Sequence, residues 1–301
     1  MATIHEPTEQ LIMRIAIVGL GAMGTAIAER LLASGQEVVV WNRTPERAKP
    51  LIAAGARVAA RAGEAANASD LVITMVTDPA ALVAVTEHEQ GVIPALRADS
   101  LLVEMSTVGP AAIGRLAQRL PEGTSLLDAP VLGSVRQAQQ GVLKIFVGGD
   151  QAALERARPI LELLGEVLHV GPLGAGAAAK LVANSTLFGV LAVLGEAIAL
   201  GEALGLTRSA LLEVLRATPV AEQAERRWPS IIGSTYPRRF GLSLARKDSD
   251  LIAAAAARAR VDLRVATGAG SWLADADAAG WGELDYSAVL AMIIGEPRPS
   301  G

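Results

Sequence analysis

The stretch Ile15-Ala16-Ile17-Val18-Gly19-Leu20-Gly21-Ala22-Met23-Gly24 decides how the first half of this chain folds. Four apolar residues, three of them β-branched, read as a strand buried on both faces. Helical spacing from Ala22 to Ala33 follows at once, so G-x-G-x-x-G lies between a strand and a helix,. In that context each glycine has a task. Gly19 makes the tight turn, Gly21 lets the backbone approach a pyrophosphate, and Gly24 lets helix and strand pack closely. The phosphates then meet the helix N-terminus, where free N–H groups and the dipole favour anions, and Leu20, Ala22 and Met23 present their backbone to the same ligand.

Working outward, the alternation continues. Glu37 to Trp41, Leu71 to Met75 and Leu101 to Glu104 read as further strands, with Ala22 to Ala33 and Pro45 to Ala54 as intervening helices. Ser125 to Leu127, Leu143 to Val147 and Val167 to Val170 add three more strands. Alternating β and α implies a doubly wound parallel sheet. After Gly171-Pro172 strand signals vanish, and Ala, Leu and Glu dominate. The expected organisation is α/β, with an N-terminal dinucleotide-binding domain over 13–173 and an all-helical domain over 174–296. A long helix from about Ala175 to Leu204 joins them, and later helices are expected at Ser209 to Ala217, Leu242 to Ala259, Ala266 to Ala279 and Tyr286 to Met292.

The end of the second strand bears on which dinucleotide is bound. An NAD site places Asp or Glu there to bond the ribose 2′-hydroxyl. Here the segment reads Trp41-Asn42-Arg43-Thr44. It offers no carboxylate to repel a 2′-phosphate and an arginine to pair with one, which favours NADP(H). Thr44 also reads as the N-cap of a helix with Pro45 at its first position.

Composition narrows the function classes. The 301 residues carry a net charge of −4 and no cysteine. Nucleic acid is not an expected partner, since no basic stripe is available to neutralise phosphates. Disulfides, thiolate metal sites and cysteine nucleophiles are excluded, and a reducing cytoplasm fits. No membrane span is expected, because the apolar run Leu181 to Gly195 ends at Glu196, short of ~18 uncharged residues. His5, His88 and His169 are scattered without ligand spacing, so no metal site is expected. The first twelve residues lack the apolar core of a signal peptide.

Arginine supplies nearly all of the basic charge; the lysines are Lys49, Lys144, Lys180 and Lys247. An ammonium can give up its proton where a guanidinium cannot. Lys180 and Asn184, four residues apart, share a helix face behind Gly174 and Gly176, an arrangement that suits a reaction centre as well as a helix surface.

With these residues in view, the chain resembles the β-hydroxyacid dehydrogenase family from Met13 to about Met292. Four segments carry the resemblance: Gly19 to Gly24; Asp128-Ala129-Pro130-Val131-Leu132-Gly133-Ser134; Gly171 to Asn184; and Phe240 to Asp248. Asn42-Arg43-Thr44, Ser106-Thr107-Val108 and Ser134 look most like the NADPH-dependent glyoxylate and succinic semialdehyde reductase branch. The resemblance implies a Rossmann domain, a long interdomain helix, and a helical domain that forms a homodimer or higher homo-oligomer. It assigns Lys180 as catalytic acid/base, with Asn184 orienting the substrate oxygen or Lys180 itself. It places Val76, Thr77 and Thr107 along the cofactor, with Lys247 reaching toward it. Asp248 supports the site and Phe240 covers the substrate. Thr107 and Asp78 also read as helix caps. An ammonium of ordinary pKa, ~10.4, is already protonated for reduction of a carbonyl.

One position departs from the family. Its usual Asp-Ala-Pro-Val-Ser-Gly-Gly, in which the serine helps bind a substrate carboxylate, has Leu132 here. Gly133 and Ser134 remain as substrate-side residues. The lost hydroxyl leaves room for a more apolar carbonyl or for an imine, so reduction of a small aldehyde or keto acid stands beside imine reduction. Imine reductases on this fold typically carry Asp or Tyr where this chain has Lys180.

Overall fold

The alternation of apolar runs and helices builds one nine-stranded sheet in the computed structural model, which describes residues 13–299. Strands β1 (Arg14–Val18), β2 (Glu37–Trp41), β3 (Arg57–Val58), β4 (Leu71–Thr74), β5 (Leu101–Glu104) and β6 (Ser125–Asp128) lie in the order β3-β2-β1-β4-β5-β6, all parallel. The order reverses direction at β1, between β2 and β4, so a crevice opens past the carboxyl ends of these strands. β7 (Val131–Leu132) and β8 (Leu143–Gly149) close the far edge antiparallel, and β9 (Gly165–Gly171) pairs parallel with β8. Ile15, Ile17, Ile73, Leu101 and Val103 are wholly buried, each burial stabilising by about 1.5–3 kcal/mol.

Two strands escape a reading by pattern, β3 and β7, because two residues carry no periodicity. The helix expected over Pro45 to Ala54 is broken. A 3-10 turn Pro45–Ala48 precedes a helix Lys49–Ala53, and Pro50, lacking an N–H, sits where the second segment starts.

Contacts divide the chain into a unit of residues 13–106 and 112–177 and a second of residues 107–111 and 178–299. The helix Ala175–Ala203 begins in the first and continues into the second. By length and mean hydropathy it meets the minimum for a membrane span, contrary to the count made on Leu181 to Gly195 alone; half of its most apolar window is buried. The rest of the second unit is helical: Arg208–Arg216, Ala221–Gly233, Leu242–Ala259, Arg264–Ala276 and Val289–Ile294. Its core includes Leu194, Ile198, Leu242, Ala245, Ala276 and Leu290. Ala221–Gly233 has no counterpart in the sequence expectations. Pro229 inside it and five charged or amide residues between Glu222 and Arg227 mask its apolar face.

Candidate active site

In the first unit the glycine loop leaves β1 with Gly19 at φ 107°, and a Cβ there would come 2.3 Å from the Met75 carbonyl oxygen. At Gly24 a Cβ would come 2.0 Å from the Gly19 carbonyl oxygen. Both positions therefore exclude side chains. Gly21 differs: nothing lies within 4 Å of its missing Cβ, and it is the N-cap of Ala22–Ala33 with no side chain capping that helix. Uncapped N–H groups facing open space fit a pyrophosphate. These residues thus suit a dinucleotide.

Asn42, at the end of β2, ties this loop in place. Its Oδ1 accepts from Leu20 N at 2.9 Å and its Nδ2 donates to Thr44 O at 3.0 Å. Arg43 is exposed and, among the described residues, makes no hydrogen bond or ion pair. Thr44 occupies the N-cap position before Pro45, but its hydroxyl makes no capping bond. Arg47, missed in the sequence, donates from Nη1 to Leu20 O at 3.4 Å. A helical turn past Arg43 was the signal for it.

A second missed residue is Glu104, the last of β5. It is fully buried, accepting from Thr74 Oγ1 at 2.7 Å and from Ser106 N at 3.0 Å. Ser106 Oγ in turn accepts from Val76 N at 2.8 Å. The network fixes the backbone at Val76, next to the exposed Thr77, whose hydroxyl donates to Asp78 Oδ2. Burial raises the Glu104 carboxyl to about 7, against the pull of the Ser106 and Thr74 hydrogen bonds,. Asp78 caps the next helix through Ala81 N at 2.7 Å.

At the far edge, Leu132 is half-buried on β7 beside exposed Gly133. Ser134 is the N-cap of Val135–Gln140, and its N and Oγ both donate to Gln137 Oε1, at 2.8 and 3.1 Å. Its hydroxyl proton is therefore committed within its own turn. Asp128, the last residue of β6, receives Gly174 N at 2.8 Å and Ala177 N at 2.6 Å. This carboxylate satisfies donors at the start of Ala175–Ala203. A Cβ on Gly176 would come 2.3 Å from the Phe146 carbonyl oxygen. Gly176 thus seats the start of this helix against the sheet.

In the second unit Lys180 is buried, and among the described residues its ammonium makes no hydrogen bond or ion pair. Asn184, one turn on and buried, does not hold Lys180; its Nδ2 donates to Asp248 Oδ2 at 2.7 Å. Asp248 Oδ1 lies 2.5 Å from Lys247 Nζ, which also donates to Thr107 O at 2.7 Å. The expected residues thus meet, but as a support. Lys247 and Asn184 are engaged with Asp248 and Thr107, whereas the Lys180 ammonium has no partner among the described residues. Burial lowers the Lys180 ammonium to about 8, with Asp248 pulling it up and Lys247 pushing it further down. The ordinary value expected from sequence does not hold. Asp248 is itself pushed above the usual carboxylate range by burial, opposed by Lys247. Phe240 is half-buried, its ring 5.5 Å from that of Tyr286. Of the other scarce lysines, Lys144 pairs with Glu166 across β8 and β9, so scarcity alone did not mark function.

Two family models together cover most of the chain. Residues 14–171 match the NAD-binding domain of 6-phosphogluconate dehydrogenase. Residues 174–293 match the NAD-binding region of NADP-dependent 3-hydroxyisobutyrate dehydrogenase. Glyoxylate/succinic semialdehyde reductase 2 of Arabidopsis thaliana is 32% identical over 92% of this chain and 78% of its own. The 3-hydroxyisobutyrate dehydrogenase of Mycobacterium tuberculosis, solved with L-serine, superposes with a TM-score of 0.85 at 30% identity, over 94% of this chain and 99% of its own. An imine reductase from Pseudomonas sp. superposes with a TM-score of 0.61 at 26% identity, over 93% and 98%. The chain, built on a Rossmann sheet and a helical unit, belongs to the β-hydroxyacid dehydrogenase family of nicotinamide-dependent oxidoreductases acting on hydroxyl and carbonyl groups.

Proposed function

We propose that this chain is an NADPH-dependent reductase of small aldehydes or keto acids, of the glyoxylate and succinic semialdehyde type, with Lys180 as proton donor. The observation that carries the reading is a buried lysine with no ion pair, at a pKa of about 8. The bound nicotinamide supplies a hydride to the carbonyl carbon. Lys180 stabilises the charge developing on the oxygen and gives it a proton. Asp248, held by Asn184 and Lys247, pulls the Lys180 ammonium up against the effect of burial. Because the value lies near 8, the free amine is also accessible, and the reverse oxidation becomes favourable in alkaline solution.

Selection of NADPH rests on Arg43, exposed and free to pair with a 2′-phosphate where β2 ends without a carboxylate. The helical unit carries Val182, Val193, Leu200 and Val265 exposed, which supports assembly into a homodimer or larger homo-oligomer. Replacing Lys180 by Ala tests the central claim. Turnover should collapse while NADPH affinity is kept, and near-normal turnover would refute the role.

Leu132 supports a second reading, reduction of imines, because it puts an apolar side chain where the family has serine. Short aldehydes and cyclic imines offered side by side with NADPH separate the two. Cyclic imines turning over faster would replace the first reading.

A further inference from the structure

Arg227, in the helix Ala221–Gly233, is a cation that the chemistry above does not use. It is 6% exposed, and among the described residues it has no ion pair. Its Nη2 donates to Tyr286 Oη, its guanidinium lies 5.1 Å from the centre of the Tyr286 ring, and its Nε is buried with no partner. Along the chain, Glu225 is exposed and pairs with Arg216, and the acidic residue beside Tyr286 is Asp285. Its carboxylate is committed: Oδ2 receives Arg239 N and Phe240 N, and Oδ1 receives Ser287 N and Oγ. An unpaired charge removed from water is costly, and a cation–π contact offsets only part of that cost.

Tyr286 adds a second donor. Its oxygen accepts from Arg227, and its own O–H donates to none of the described residues. Burial holds the phenol above its ordinary range, so this proton stays in place at neutral pH. Two donors, Arg227 Nε–H and Tyr286 O–H, therefore lack acceptors in one buried place. Gln223, one turn before Arg227, adds a buried Oε1 without a partner,.

The place is linked to Lys180 within the second unit. Lys180, Asn184 and Phe188 recur at four-residue spacing on one helix face, the last about 12 Å along the axis from the first,. The Phe188 ring stands 6.3 Å from the Tyr286 ring, and Phe240 packs on the same tyrosine. We propose that Arg227 and Tyr286 form a carboxylate receptor for the far end of a substrate whose carbonyl meets Lys180. This rests on the reading of Lys180 as proton donor. It selects ω-oxo acids, whose carboxylate lies away from the carbonyl, over 2-oxo acids, whose two groups are adjacent.

The test compares succinic semialdehyde, butanal and glyoxylate with NADPH in wild type, Arg227→Met and Tyr286→Phe, together with calorimetric binding of succinate. The expected ratio of kcat/KM for the semialdehyde over butanal falls at least 30-fold in Arg227→Met and about fivefold in Tyr286→Phe, mainly through KM. Succinate binding should weaken in parallel. Tyr286→Phe keeps the ring, so it remains informative should Arg227→Met fail to fold. An unchanged ratio, or a wild-type preference for glyoxylate, overturns the receptor and leaves Lys180 untouched. Succinate binding lost in both variants, with no turnover of any aldehyde, keeps the receptor and removes the reductase reading. Succinate failing to bind wild type overturns the receptor.

Discussion

The glycine loop and the Lys180 cluster are organised in opposite ways. The loop is a contiguous run whose function lies in the backbone: Gly19 and Gly24 are excluded from having side chains by carbonyls 2.3 and 2.0 Å from where a Cβ would stand. The cluster draws on residues 107, 180, 184, 247 and 248, far apart in sequence, and its function lies in one side chain left unpaired while its neighbours satisfy each other. Backbone sites are local and tolerate no Cβ. Side-chain sites are tertiary, and their chemistry depends on charge balance in a place sheltered from water.

The sharpest way to break the comparison is to remove the unpaired side chain. Lys180→Ala should lower kcat by 10²- to 10⁴-fold, about 3–5 kcal/mol of barrier, with NADPH binding intact. The pH profile adds a sign. Reduction needs the ammonium, so its rate should fall above about 8, while oxidation of the alcohol should rise through the same value,. Asp248→Asn removes the charge that raises Lys180, so the falling limb should move to lower pH. A limb that stays in place would sink the electrostatic role of Asp248.

Next in size is Glu104, which belongs to the loop's unit yet behaves like a member of the cluster. Between its ordinary value of 4.5 and about 7, the folded chain keeps a proton that the unfolded chain has released. Stability therefore falls as pH rises across that window, by up to about 3 kcal/mol. Glu104→Gln removes the titration. Its Tm relative to wild type should climb from pH 5 to pH 8, and a flat difference would show that burial does not dominate at this carboxyl.

These cases explain what was legible in the sequence. Strands β1, β2, β4 and β5 and the glycine loop follow from local pattern, because apolar periodicity and backbone-limited glycines need no distant partner. Lys180, Asn184, Lys247 and Asp248 stood out as residues, but their connections did not. That Asn184 turns to Asp248, that Lys247 is held by Thr107, and that Lys180 titrates near 8 are consequences of packing. The bond from Gly174 to Asp128, 46 residues upstream, was hidden for the same reason. Glu104 looked like the polar end of a strand; only burial gives it meaning. Arg227 sat in a segment whose apolar face was masked by Pro229 and by the polar run before it.

The smallest effects separate the two arginines beside the loop. Arg43 is exposed and pairs with none of the described residues, so its contribution should arise only when a 2′-phosphate is present. Arg43→Ala should weaken NADPH about tenfold, roughly 1.4 kcal/mol, and leave NADH unchanged. Arg47 instead reaches the Leu20 carbonyl at 3.4 Å, a long bond on the loop that any dinucleotide would use. Arg47→Ala should therefore weaken NADPH and NADH alike, by less than about 1 kcal/mol. Titrating both cofactors into both variants resolves the difference by fluorescence. Should Arg47→Ala discriminate between cofactors and Arg43→Ala not, the 2′-phosphate contact belongs to the residue that the sequence passed over, and the glycine loop, too, would owe its selectivity to tertiary placement.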